Sequence, residues 1–285
     1  MEQISLFLDR VVSSTALPMV KPKAYGPFHL TFTLVGFAVC ILLAYLLRRA
    51  SERTNRIVLL SVGAFLVVTE LYKQLFYYYY IGNNSYQWWI FPFQLCSVPM
   101  YLCLIVPFLK EGRVKRGMYS FMTTFNLLGG LMAFIEPSGI VHEYWTLTLH
   151  AFLWHMTLVF VGFYLIASGR FARTRRDYGS AVVTFLFLSL VAFSINLILR
   201  RVSGGSINMF FVGPSNSPLV VFKQISEKCG WYVSTLLYLP VVSLGAFLIF
   251  LPVSLYARRR TRRGEKETEK EKEKEKEKEK ELLSV

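Results

Sequence analysis

Runs of about 20 apolar residues recur along the whole of this chain, and a run of that length is what a helix needs to cross a bilayer. Seven can be marked: Phe28–Leu47, Ile57–Tyr80, Trp88–Leu109, Gly117–Ile135, Trp145–Ala167, Tyr178–Leu199 and Trp231–Tyr256. A chain that is 54% hydrophobic over 285 residues cannot hide so many such runs in a water-soluble core. Backbone polar groups in lipid must be satisfied within the chain, so spans of this composition are helical. The expected fold is all-α, a polytopic bundle of seven transmembrane helices spanning residues 27–257. An interfacial N-terminal segment, 1–26, would precede it.

Charge supports the same reading. The net charge is +14, but the cations sit in short segments between apolar runs rather than on one basic face, so nucleic-acid binding is not indicated. Arg48, Arg49, Arg53 and Arg56 follow the first run; Lys110, Arg113, Lys115 and Arg116 the third; Arg170, Arg173, Arg175 and Arg176 the fifth; and Arg258–Arg263 the last. The alternation puts the N-terminus outside and the C-terminus in the cytoplasm. Arg200, Arg201, Lys223 and Lys228 run against it. Met1–Val20 contains Asp9 and Arg10 and lacks the form of a cleavable signal. Residues 258–285 are basic, then alternate Glu and Lys, and are expected to form a solvated cytoplasmic tail without chemistry of its own.

Polar residues inside the apolar runs are the functional candidates, because such groups are costly in lipid and face the bundle interior or a wet cavity. The densest stretch is Phe91-Pro-Phe-Gln-Leu-Cys96-Ser-Val-Pro99. At 1.5 Å per helical residue, Cys96 would lie roughly 12 Å below the Trp88 end. Glu70, Gln94, Asn126, His150, His155 and Asn196 fall in the same half of the bundle, which suggests one polar cavity. Cys96 is a candidate nucleophile if a base stands beside it. His150 or His155 could be that base, and Asn126 or Gln94 could donate to an oxyanion. Glu70, Lys73 and Gln74 share a helix face. The long loop after the sixth run, with Asn208 and an apolar Met209–Val212 core, reads as a lid.

No cofactor or metal is implied. The two span histidines are five residues apart, a turn of about 140° on a helix, which does not suit a two-His metal site. The four cysteines form no CxxC pattern. The last run has no lysine for a retinal Schiff base. The residues suit a thiol-dependent catalyst with Cys96 and a histidine as catalytic residues, or a transporter or solute-binding protein using the same cavity. In either, Glu70, Gln94, Asn126, Asn196 and Asn208 would line the substrate site and membrane lipids would be the partners. A structural or sensory protein is a third possibility.

Phe91–Cys96, Asn126, His150–His155, the Asn208–Pro214 loop, Gly230-Trp-Tyr232 and Leu251-Pro252 occur in an order that resembles the YwaF-type family of bacterial multi-pass membrane proteins. That family is similar to the eukaryotic transmembrane protein 164 group, which is associated with cysteine-dependent transfer of fatty acyl groups between phospholipids. The resemblance implies a thiol-dependent lipid acyltransferase or acyl hydrolase with Cys96 as the catalytic cysteine and His150 or His155 as its partner, in a bacterial cytoplasmic membrane. The family often has His at the position of Gln94.

Overall fold

The computed structural model describes residues 2–283, with side chains described to Ala257 and at Arg259. The described residues are helical and loop-like, with one isolated backbone bridge between Pro18 and Tyr144. The helices are α1 (Glu2–Ser14), α2 (Pro27–Leu46), α3 (Glu52–Leu75), α4 (Val98–Ile105), α5 (Arg113–Phe121), α6 (Leu127–Ile135), α7 (Trp145–Ala167), α8 (Arg175–Leu199), α9 (Val220–Cys229) and α10 (Trp231–Leu283). A π-helical segment, Phe76–Ile81, extends α3, and another, Met122–Asn126, joins α5 to α6.

Among the described residues six stretches are long and apolar enough to cross a membrane: Pro27–Leu46, Glu52–Ile81, Arg113–Ile135, Trp145–Ala167, Arg175–Leu199 and Trp231–Ala257. The expected third span, Trp88–Leu109, is not a continuous helix. It is a 3-10 turn at Trp88–Ile90, a non-helical stretch, and then α4 with a 3-10 turn at Val106–Phe108. Two prolines explain the break. Pro92 drives Phe91 out of the helical region, to φ −46 and ψ 134. Pro99 sits in the first turn of α4, where its missing N–H breaks no helical bond. The segment still runs antiparallel along α3. Gln74 bonds to Ile90 near one end. Near the other, Gly63 admits Leu104 so closely that a Cβ would lie 2.7 Å from its side chain.

The stretches Arg113–Ile135 and Trp145–Ala167 form the middle of the bundle, with 61% and 56% of their apolar windows buried. Pro27–Leu46 and Trp231–Ala257 are only 17% buried and expose leucines, as lipid-facing helices do. The buried core runs through Leu102, Phe121, Phe125, Tyr164, Phe185 and Phe210.

The ends of the bundle differ. One end gathers Tyr77–Tyr80, Trp88, Trp89, Trp145 and Trp231, an aromatic belt; the other gathers the arginine segments. α1 docks at the aromatic end through Val12, buried against Phe76, Tyr77, Ile90 and Leu147, and leaves Ile4, Phe7 and Val11 exposed along one side. The following strap crosses the start of α7 through bonds from the Met19 amide to Glu143 O and from the Trp145 amide to Leu17 O. α10 remains helical to Leu283, through the Glu/Lys tail. Both residue types favour helix, while the alternation places opposite charges at i,i+3 and like charges at i,i+4.

Candidate functional site

The non-helical stretch Phe91–Ser97 puts irregular backbone at membrane depth, which is tolerated only where protein or a wet cavity satisfies it. Side chains of the neighbouring elements do so. Gln74 donates its amide to Ile90 O at 2.9 Å. The Tyr101 hydroxyl donates to Pro92 O at 2.6 Å. The Trp154 indole donates to Cys96 O at 3.1 Å. Within the stretch, Ser97 N donates to Gln94 O at 2.8 Å. Cys96 is therefore held on a fixed backbone directly before α4. The Cys96 sulfur lies within hydrogen-bond reach of its own amide N–H and of the Ser97 hydroxyl.

A first polar cluster comes from α3 and α7. Glu70, 4% exposed, pairs with Lys73 at 2.8 Å and accepts from the Gln74 amide at 2.6 Å. The Lys73 ammonium stands 5.9 Å from the Trp154 ring centroid. His150 stacks on the same indole, centroids 5.5 Å apart, and its Nε2 is buried without a hydrogen-bond partner. His155 places Nδ1 2.8 Å from Ala151 O. A nitrogen facing a carbonyl oxygen must carry the proton, so Nε2 holds the lone pair. No hydrogen bond joins Cys96 to either imidazole among the described residues.

In a second group, Gln94, Asn196 and Asn208 come together around the long loop. Gln94 donates to Asn208 O at 3.0 Å and accepts from Phe210 N at 2.9 Å. Asn196 donates to Met209 O at 3.0 Å and accepts from Met209 N at 2.6 Å. Asn208 Oδ1 accepts from Gly213 N. Gly213 has no room for a side chain, since a Cβ would lie 2.8 Å from the Asn196 amide nitrogen. Met209 and Phe210 are fully buried, and Phe210 stacks between Phe93 and Phe185, centroids at 5.9 and 6.3 Å. The loop thus enters the bundle as a plug; it does not lie across the surface as a lid. Phe210 and Phe211 both take positive φ, 54° and 56°, a strained conformation for aromatic residues.

Asn126 ends the buried π-helical segment and stands apart from both groups. Its Nδ2 donates to Met122 O and Leu158 O, each at 3.2 Å, and its Oδ1 has no partner. Both N–H donors are committed, so what Asn126 has free is an acceptor.

Hydrogen bonding therefore divides the expected polar residues into two groups, Glu70 with Lys73 and Gln74, and Gln94 and Asn196 with the loop at Asn208, with Asn126 bonded to neither. A groove of about 630 Å³ between α2 and α7 is apolar and lined by none of these residues. Among the described residues no three His, Cys, Asp or Glu side chains converge as metal ligands. Sequence reasoning passed over Trp154, which lies between the two histidines and had only its position as a signal.

No curated protein and no solved structure matches the chain. Pro92, Gln94, Cys96, Asn126, both span histidines and the plug loop nonetheless all lie inside residues 24–264, the stretch matched by the sequence model of the TMEM164 family, and this multi-pass membrane protein belongs to that family.

Proposed function

We propose that the protein is a thiol-dependent lipid acyltransferase or acyl hydrolase with Cys96 as nucleophile. One observation carries the reading. Of the cysteines, Cys40 and Cys103 lie within helices and Cys229 is exposed, whereas Cys96 is held where backbone leaves the helix. There the thiol meets its own N–H and the Ser97 hydroxyl at the start of α4, beside a cluster of Lys73, Glu70 and two imidazoles. N–H and O–H donors at a helix start favour negative charge on nearby sulfur and on an oxyanion.

In this reading the Cys96 thiol gives its proton to an imidazole and its sulfur attacks the ester carbonyl carbon of a phospholipid. The tetrahedral intermediate collapses, the C–O bond breaks, and the leaving alkoxide takes the proton back. A second hydroxyl, of a lysolipid or water, then takes the acyl group from the thioester. His155 is the better-prepared base, because its bond to Ala151 O leaves Nε2 as the acceptor. The aromatic end faces outward, with the N-terminus there.

The test uses purified protein and an alkyne-labelled diacyl phospholipid. A hydroxylamine-labile adduct lost in Cys96→Ala and reduced in His155→Gln supports the assignment. An adduct of undiminished intensity in Cys96→Ala would sink it.

The buried Glu70–Lys73 pair favours a second reading, a transporter that moves protons or an ionic solute. Flux into proteoliposomes that survives Cys96→Ala and is lost in Glu70→Gln would select it.

A further inference from the structure

We propose that the plug loop fills an acyl-chain site. When its tip withdraws, one acyl chain of a phospholipid takes the place of Met209 and Phe210, and the side-chain amides of Gln94 and Asn196 turn to the ester group. This deepens the reading of Cys96 as nucleophile by naming where the chain of its substrate lies, and it rests on that reading for the role of the site in chemistry.

The tip is seated as an amphiphile would be. Ile207, Met209 and Phe210 are at most 2% exposed. The Phe210 ring lies between Phe93 and Phe185, with centroids at 5.9 and 6.3 Å. Above this apolar slot two amides each give one donor and one acceptor to the loop backbone. Gln94 serves Asn208 O and Phe210 N; Asn196 serves Met209 O and Met209 N. An acyl ester asks for the same two things, an apolar slot for the chain and an N–H for the carbonyl. The slot is tied directly to the Cys96 turn. Phe93 and Gln94 precede Cys96 in the same non-helical stretch, and Gln94 O accepts from Ser97 N at 2.8 Å.

The tip can leave without unravelling the roots of the loop. Gly205 N donates to Arg200 O at 2.9 Å, and the Arg200 guanidinium donates to Pro214 O at 2.6 Å, so entry and exit are bonded together. Gly204 and Gly205 take φ 58° and 79°, with open space where a side chain would stand, and form a hinge. Phe210 and Phe211 hold strained positive φ, which withdrawal relieves. An emptied slot would cost the bundle its packing, so withdrawal needs a replacement of similar shape. The bilayer supplies one. Phe185 and Asn196 share one face of α8, roughly three turns apart, whereas Phe187 and Leu190 of the same helix are 63% and 62% exposed to the lipid side.

The experiment uses full-length protein in liposomes that contain a phospholipid with a photoactivatable diazirine in mid-chain. Crosslinks are mapped by mass spectrometry at Phe93 and Phe185 in the slot, against Phe187 and Leu190 as lipid-facing controls. Phe210→Ala removes the seated ring and leaves both amides in place. The slot-to-control ratio should rise at least about tenfold over wild type, because truncating a buried phenyl weakens the seated state by more than that factor. An unchanged ratio, with faster proteolytic cutting between Ile207 and Gly213, would overturn the proposal: the tip leaves and no chain enters. A second measurement needs no variant. A ligand that binds only the withdrawn state shifts the population toward it, so phospholipid added to wild type in amphipol should speed cutting between Ile207 and Gly213. Equal or slower cutting with lipid would overturn the proposal as well. Neither readout depends on turnover. Slot crosslinks in a protein that forms no hydroxylamine-labile adduct would overturn the Cys96 reading and leave the slot, whereas an adduct without slot crosslinks in Phe210→Ala would overturn the slot alone.

Discussion

The indole N–H of Trp154 donates to the backbone carbonyl of Cys96 at 3.1 Å, across the contact between α7 and the interrupted segment. Trp154 lies one turn from His150 on one side and next to His155 on the other, so the same bond that satisfies irregular backbone also sets the thiol relative to both imidazoles. Trp154→Phe keeps most of the ring volume but leaves the Cys96 carbonyl unpaired. The expected cost is about 1–3 kcal/mol, read as a lower thermal midpoint in detergent. Slower Cys96 acylation should accompany it. An unchanged midpoint would mean that water replaces the indole.

Gln94 makes a two-way pair with the loop backbone at Asn208 and Phe210. Gln94→Leu removes both halves and leaves a buried N–H and C=O unpaired, each worth about 1–3 kcal/mol. The two strained phenylalanines add to the drive for release. Limited proteolysis should then cut between Ile207 and Gly213 much faster than in wild type. Equal cutting rates would show that Asn196 alone holds the plug.

Glu70 and Lys73 form an ion pair with side chains 5% and 19% exposed. Removing one member of a buried pair leaves a charge without its partner, at a cost of about 3–5 kcal/mol. Lys73 retains some exposure, so Glu70→Ala belongs at the lower end. The double variant Glu70→Gln, Lys73→Met should be less destabilised than the sum of its single changes. Denaturant titration of the four proteins gives the coupling directly, and additive effects would contradict it.

His142 lies before α7, where burial holds its pKa below the ordinary 6.5 and the nearby Lys21 charge adds to the effect. Lys21, Tyr80, Glu143 and Tyr144 face it across the pocket at the aromatic end. Below pH 6.5 the unfolded chain binds a proton that the folded chain resists. Stability present at neutral pH is therefore lost as pH falls through the folded value. The thermal midpoint of wild type should drop between pH 7 and pH 5 more than that of His142→Gln. Parallel curves would remove His142 as the cause.

The repeated apolar runs determined the helical membrane class by themselves, because lipid leaves the backbone no other way to satisfy its polar groups. Six of the expected spans match long apolar helices to within a few residues. The boundary at Trp145–Ala167 was legible outright, since Tyr144, Trp145 and the following arginines bracket it. The two prolines at 92 and 99 were equally legible, but what they do depends on their neighbours. Pro92 could have kinked a helix; it ends regular structure here because Gln74, Tyr101 and Trp154 are placed to take over the exposed carbonyls.

That placement is a matter of tertiary packing. Depth along separate helices put Glu70, Gln94, Asn126, His150 and Asn196 in one half of the bundle, yet depth says nothing of rotation about each axis. Rotation and helix order sent Gln94 and Asn196 to the plug loop, and gathered Lys73 and His150 around the Trp154 indole. They spent the Asn126 donors on helix carbonyls. The sequence determined which polar groups lie in the membrane; only the packing of the helices decided which of them keep a donor or a lone pair uncommitted, and chemistry at Cys96 requires such a group.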